Sequence, residues 1–189
     1  MRRLMLFVVM ILMVNTTVEV KMKMYLGVEE GMNPKQIETI VEKDGWKPGL
    51  NNDTNIGCGV KIYDFSKDNN YIIAAFYKGE LIKIRLNFYP NRNSKIIVLA
   101  DKLEKQLNTK YEILESYKFC DYPYEYGDGY EDTALWIGKL HFIILYKIDG
   151  GQLSLSLKPD PDIHAEVTYE TYSWDKIYEC FQDEENEKF

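Results

Sequence analysis

The chain reads as an α+β fold: an antiparallel sheet with two main helices on one face and a short C-terminal helix. Three observations predict it. Amphipathic helical segments start near Asn33 and near Ser94, each is followed by stretches that alternate with period two, and glycine-centred turns join neighbouring stretches as hairpins. Helices grouped on one face of an antiparallel sheet make a two-layer domain. The order helix, three strands, helix, three strands suggests a tandem pseudo-repeat, with halves at 26–90 and 94–158 inside one domain at 18–182.

Met1, Arg2 and Arg3 give a positive start, and Leu4 to Val14 is an unbroken apolar run of eleven residues. That run suits a signal-peptide core at 1–17 and falls short of the ~20 residues that span a bilayer. No Ala-x-Ala cleavage site follows, so an uncleaved N-terminal anchor is the alternative. The expected destination is the periplasm or the exterior, with no stable membrane insertion once the signal is removed. Without Arg2 and Arg3 the basic residues number 23 − 2 = 21 against 30 acidic ones, a charge of about −9.

Val18 to Leu26 alternates apolar and polar residues as a half-buried strand does. The first helix then has a complete set of boundary signals: Asn33 as N-cap, Pro34 at the first helical position, Gln36 closing a capping box, and Met32 with Ile37 as a hydrophobic staple. Ile37, Ile40 and Val41 make its apolar face, Gly45 ends it and Trp46 folds back on it. Ile56, Cys58, Val60 and Ile62 alternate as one strand with Gly57 and Gly59 on its other face. Tyr71 to Tyr89 is a hairpin about Lys78, Gly79 and Glu80, with Ile82, Ile84, Leu86 and Phe88 facing one way and Lys83, Arg85 and Asn87 facing water. Asn93 or Ser94 caps the second helix, whose stripe is Ile96, Leu99, Ala100, Leu103 and Leu107.

Tyr111 to Phe119 is the next strand, and Trp136 to Ile148 pairs with Leu153 to Leu157 through Asp149, Gly150 and Gly151. The stretch 140–148 is apolar on both faces, which places it centrally, while Ser154 and Ser156 face water. Pro161 bars a continuous strand beyond Pro159. Ser173 caps a short helix carrying Trp174, Ile177, Tyr178 and Phe181 on one face, and 183–189 is a charged, frayed tail.

The stretch LGVEEGMNPKQIETIVEKDGW resembles the Gly-Met-(Thr/Ser/Asn)-x-x-Gln-(Val/Ile) start of small outer-membrane assembly proteins of the BamE type and of β-lactamase-inhibitor-protein-like domains, at Gly31, Met32, Asn33, Gln36 and Ile37. The resemblance implies helices packed on an antiparallel sheet, often in tandem copies, with the exposed sheet face or its loops binding another protein. The chain departs from it at Gly45-Trp46, where the family has Gly-x-Pro, and in having no lipid-bearing cysteine.

A formal charge of −7 disfavours nucleic acid and anionic membrane surfaces, which need clustered Lys and Arg, and is compatible with a basic protein partner. Cys58, Cys120 and Cys180 are an odd count; either one disulfide and one buried thiol or three buried thiols fit, and the spacings match no zinc pattern. Nucleophile-elbow and phosphate-loop motifs are absent, and His141 stands in an apolar strand, so the expected protein is no enzyme and takes no cofactor. Asp160, Asp162, His164 and Glu166 alternate and could hold a divalent cation, against the plainer reading of a solvated acidic connector.

The stretch 121–136 carries Tyr122, Tyr124, Tyr126 and Tyr130 among Asp128, Glu131, Asp132 and other acids. Tyrosines supply large contact area at low entropic cost, and the acids would steer a basic partner. The reading is therefore an exported protein-binding module, an inhibitor, immunity-type factor or envelope assembly factor, using this loop or a sheet face. The alternatives are a small-ligand-binding domain, with its pocket on the concave face of the sheet, and a metal-dependent enzyme.

Overall fold

The computed structural model describes residues 21–50, 53–91, 95–159 and 162–186. The expected signal segment at 1–17, the expected caps Asn93 and Ser94, and Asp160 lie outside them. One antiparallel sheet organises the rest. Its strands are β1 Lys47–Pro48, β2 Thr54–Gly57, β3 Val60–Lys67, β4 Asn70–Tyr77, β5 Glu80–Phe88, β6 Glu112–Cys120, β7 Leu140–Lys147, β8 Gly151–Lys158 and β9 His164–Thr171. They lie in the order β1-β3-β4-β5-β9-β8-β7-β6, with β2 also on β3. The helices are α1 Pro34–Lys43, α2 Ile96–Asn108, α3 Glu131–Trp136 and α4 Tyr172–Asn186.

Helix α1 forms as its boundary residues dictate. Asn33 Oδ1 accepts from the Gln36 N–H at 3.0 Å and Gln36 Oε1 from the Asn33 N–H at 2.9 Å. At the other end Trp46 N–H donates to Val41 O and Gly45 N–H to Glu42 O, the double bond of a Schellman ending, with Gly45 at φ 85°. Ile37, Val41 and Trp46 are thereby buried in the main core.

Local strand signals needed three corrections. Met22 and Met24 are buried as alternation required, but Lys23 makes an isolated bridge to Glu29 and Tyr25–Gly27 is a 3-10 turn, so the described part of this segment, 21–27, is no strand; Val18 to Val20 lie outside the described residues. Ile56 to Ile62 is two strands, since Cys58 and Gly59, at φ 48° and 73°, turn the chain between β2 and β3. In the β4–β5 hairpin the turn is Lys78-Gly79, both left-handed as a two-residue turn matching the sheet's twist requires. Pairing then skips Ile82, because Ala75 faces Lys83 and Phe76 faces Leu81. The bulge turns Ile82 to the face opposite Ile84 and Leu86.

Two meanders, β3–β4–β5 and β6–β7–β8, are joined by β9, which pairs with β5 on one side and β8 on the other. The second half of the chain therefore contributes four strands after α2, where three were expected. Ala165, Val167 and Tyr169 of β9 enter the core while Glu166, Thr168 and Glu170 take the other face. Strand β7 is next to the β6 edge, not central. At the β7–β8 turn Gly151 has no room for a side chain, since a Cβ there would lie 2.0 Å from the Glu170 carbonyl.

The inner face of the sheet carries α1, α2 and α3, whose Ile37, Val41, Ile96, Ala100, Leu103, Ala134 and Leu135 share one core with Phe65, Phe76, Leu86, Phe142, Ile144 and Leu155. The outer face is covered at one end only. There α4 packs Ile177, with Trp174 and Phe181 beside it, on Val60, Ala75 and Ile82. Tyr178, expected on that apolar face, is exposed. Ser173 lies inside the helix instead of capping it, and Asp183 to Asn186, expected as frayed tail, continue α4. A Cys58–Cys180 disulfide fastens α4 to the β2–β3 turn, leaving Cys120 as a half-buried thiol. Among the described residues no helix is long and apolar enough to cross a membrane.

Candidate binding face

With α4 on β3–β5 and the adjoining β9, none of the described elements covers the outer face of β6 and β7, and register decides what it presents. Glu115 faces Leu145, Tyr117 faces Ile143 and Phe119 faces His141, each pair directly opposite across the two strands. Alternation puts Phe142, Ile144 and Tyr146 underneath in the core. Ile143, an outer residue of the stretch expected to be central, thus joins residues of β6 in an exposed strip: Leu114 is 61% exposed, Tyr117 and Phe119 49% each, and Ile143 38%. The Phe119 ring stacks on His141 at 4.6 Å, and His141 Nε2 lies 3.1 Å from an Asp121 carboxylate oxygen. Tyr117 donates to Glu115, and that carboxylate pushes its hydroxyl above the ordinary tyrosine range.

Toward the middle of this face the sheet turns polar. Ser156 and Thr168 are buried, Ser156 contrary to its expected exposure; Thr168 donates to Glu166, and Arg85 approaches Glu166 at 3.7 Å. Lys83 is likewise not in open water but pairs with Glu170 and lies over the Trp174 ring. Arg85 Nε and Asn87 Oδ1 are buried without a hydrogen-bond partner.

The tyrosine-rich segment is an ordered structure tied to the domain, and most of its acids are engaged. Asp128 accepts from the N–H groups of Glu125 at 2.9 Å and Tyr130 at 2.7 Å, and these bonds hold its carboxyl below the usual range. Glu131, 3% exposed, accepts from the Gly127 N–H, while Asp132 accepts from the Ile96 N–H at the start of α2. The acids expected to steer a partner therefore fold the loop. Trp136 belongs to α3 and β7 starts only at Leu140, which corrects the strand expected from Trp136.

The tyrosines divide. Tyr124 packs against the core with the Lys139 ammonium over its ring, and the Tyr126 hydroxyl is pushed up to about 12 by burial and then by Asp101, Glu104 and Glu131. Tyr122, 91% exposed, and Tyr130, 64% exposed, remain free to meet a partner. The residues sequence reasoning missed are Tyr117, Phe119 and Ile143; their alternation was visible, but only the strand order shows that none of the described elements covers them.

The acidic alternation near β9 does not assemble as an open set. His164 is buried, stacks on Tyr89 at 5.1 Å and places Nδ1 2.7 Å from the Asp162 carbonyl, and Glu166 is engaged with Arg85 and Thr168. Among the described residues no group of three or more His, Cys, Asp and Glu could hold a metal ion. Cys120 is no activated thiol, since burial and then Asp128, Glu131 and Asp121 raise its pKa.

A separate concavity of about 650 Å3 opens on the inner side of the sheet, between the end of α2 and Tyr25. Its floor is the β5–β9 seam, with Leu86, Val167 and Tyr169. Comparison with protein-family models, curated proteins and solved structures finds no match for this chain.

Proposed function

We propose that the protein is an exported, non-catalytic protein-binding module whose docking surface is the outer face of β6 and β7, with Tyr122 at its margin. The observation that carries the reading is the register-matched strip of Tyr117, Phe119 and Ile143, exposed beside an edge strand that pairs on one side only. Aromatic side chains next to open N–H and C=O groups suit a partner that adds an extended segment to the edge and seats apolar side chains on the face. Asp121 and Glu115 flank the strip, so basic residues in that segment are complementary. Three features support export: the positive start with its apolar run at Leu4–Val14, the resemblance at Gly31–Ile37 to envelope assembly and inhibitor domains, and the Cys58–Cys180 disulfide, a bond that persists in oxidising compartments.

The test is capture from an envelope extract of the source organism. The wild-type chain is compared with Y117S/F119S and with Y122S/Y130S, each checked for unchanged thermal unfolding. Loss of specific partners with the β6 variant and at most a partial loss with the loop variant, where Tyr122 is marginal, fits the reading. Equal recovery with all three chains removes the outer face from the account. Small-ligand binding is the second reading, and the inner-side cavity is the observation that favours it.

A further inference from the structure

Helices α1 and α2 share the inner face but rest on different strands: α1 lies against β1 and the 3-10 turn, α2 against β8 and β9. Between them the seam of β5 and β9 carries the side chains of Leu86, Val167 and Tyr169. Over it lies the cavity of about 650 Å3, within the range of about 300–1,000 Å3 that takes small organic ligands. Leu86, Phe88, Leu107 and Val167 make its walls apolar. Tyr25 closes one side, standing edge-on to Trp46 at 6.5 Å. It is held there by a turn in which Leu26, a residue with a side chain, takes the left-handed conformation at φ 57°. Strain of that kind is concentrated at functional sites.

The charged groups at this cavity are of one sign. Among the described residues no Asp or Glu lines it, although the chain carries a net charge of −7; the charged lining residues are Lys105 and Lys110, beside the neutral Gln106 and Thr109. Neither has an ion-pair partner among the described residues. Tyr111 and the buried Tyr169 line the same cavity, and each phenol carries an O–H that can donate. Two ammonium groups and phenolic donors around an apolar chamber match a ligand with an apolar body and a single anionic head.

We propose that this cavity binds a small apolar carboxylate, its chain over Leu86 and Val167 and its carboxylate between Lys105 and Lys110. The assignment is independent of the protein-binding reading, because the outer face of β6 and β7 lies on the opposite side of the sheet. The plainer role of the lysines is to complement the negative end of α2, which closes at Asn108. The two roles differ in what they require of a ligand.

Decanoate and 1-decanol, matched in chain length, are the probes, titrated below micelle formation into the full chain and followed by Trp46 fluorescence and thermal shift. Saturable binding of decanoate, at least tenfold tighter than decanol, is the expected result. K105Q/K110Q should cut decanoate affinity at least tenfold and leave decanol unchanged, and Leu107→Trp, which fills the chamber, should abolish both. No saturable decanoate binding overturns the proposal. So does equal affinity for acid and alcohol that ignores K105Q/K110Q, or binding that survives Leu107→Trp in a folded protein. Loss of decanoate binding together with unchanged capture of protein partners would separate this site from the outer face.

Discussion

Asp132 accepts a hydrogen bond from the Ile96 N–H at 3.1 Å across 36 residues of sequence, so the tyrosine-rich segment serves helix α2 as its cap. Lys95, the residue before the helix, returns the contact by donating to the Gly129 carbonyl at 2.8 Å. An N-cap acceptor contributes about 1 kcal/mol, and its loss lowers Tm by roughly 2–4 °C in a domain of this size. Asp132→Ala should show that loss in thermal unfolding, and Asp132→Asn, which keeps an acceptor, should recover most of it. A full-sized loss with Asn would mean that charge, not capping geometry, is what α2 uses.

The disulfide closes a sequence separation of 122 residues, worth about 5 kcal/mol in the chain-entropy account. Reduction, or Cys180→Ser, should lower stability by roughly 2–5 kcal/mol in urea titration and make α4 the first site of proteolysis. Val60 and Ile82 would then lose their cover. Cys120→Ser should leave the urea midpoint unchanged. Protection of α4 that persists after reduction would show that Ile177, Trp174 and Phe181 hold it unaided.

Burial raises the hydroxyls of Tyr126, Tyr146 and Tyr169, Tyr126 to about 12. A raised acid pKa in the folded state means that unfolding releases a proton once pH passes the ordinary value of 10.0. The stability these groups contribute is complete below that pH and falls as pH rises toward the folded value. Tyrosinate absorbance should therefore show these three hydroxyls ionising above the ordinary tyrosine value. The buried Tyr146 and Tyr169 should ionise together with loss of ellipticity. Ionisation of these two near 10 with the fold intact would contradict their packing.

Asp128 has the opposite sign. Its carboxyl is held low by the Glu125 and Tyr130 N–H groups, so its contribution is present above the unfolded value of about 3.9 and fades as pH drops through the lower folded one. Amide exchange at Glu125 and Tyr130 should speed up in that acid window while the amides of β8 stay protected. Simultaneous opening of loop and sheet would show that the turn has no separate stability.

What was legible in the chain was local. Asn33, Pro34, Gln36 and Gly45 specify α1 with contacts inside one element, and Lys78-Gly79 specifies its hairpin the same way. What depended on distant partners was not. The strand β9 is hidden in the sequence because Pro161 and the alternating polar residues Asp162, His164 and Glu166 look like a connector. The signal was nonetheless present in Ala165, Val167 and Tyr169, one face of a strand. Ile82 departs from its alternation through a bulge that no residue of β5 announces. The candidate site was half visible: Tyr122 and Tyr130 are exposed as expected, whereas Glu131 and Asp132 were assigned to a partner because their real partners, Gly127 and Ile96, are backbone groups without a sequence signature.

The position of β9 has a consequence for how the protein is made. Strand β9, made after every other described strand, lies in the middle of the sheet, so before residue 164 emerges these strands can form only two separate meanders. Each has one long margin unpaired, β5 in the first and β8 in the second. Such margins recruit strands from other chains. A polypeptide halted at Pro159 is accordingly a sticky intermediate, and a finished one seals both margins in a single insertion. Sequence-distant pairing of this kind also makes closure slow. Completion of the sheet therefore waits on the segment after Pro159, however early the two meanders form.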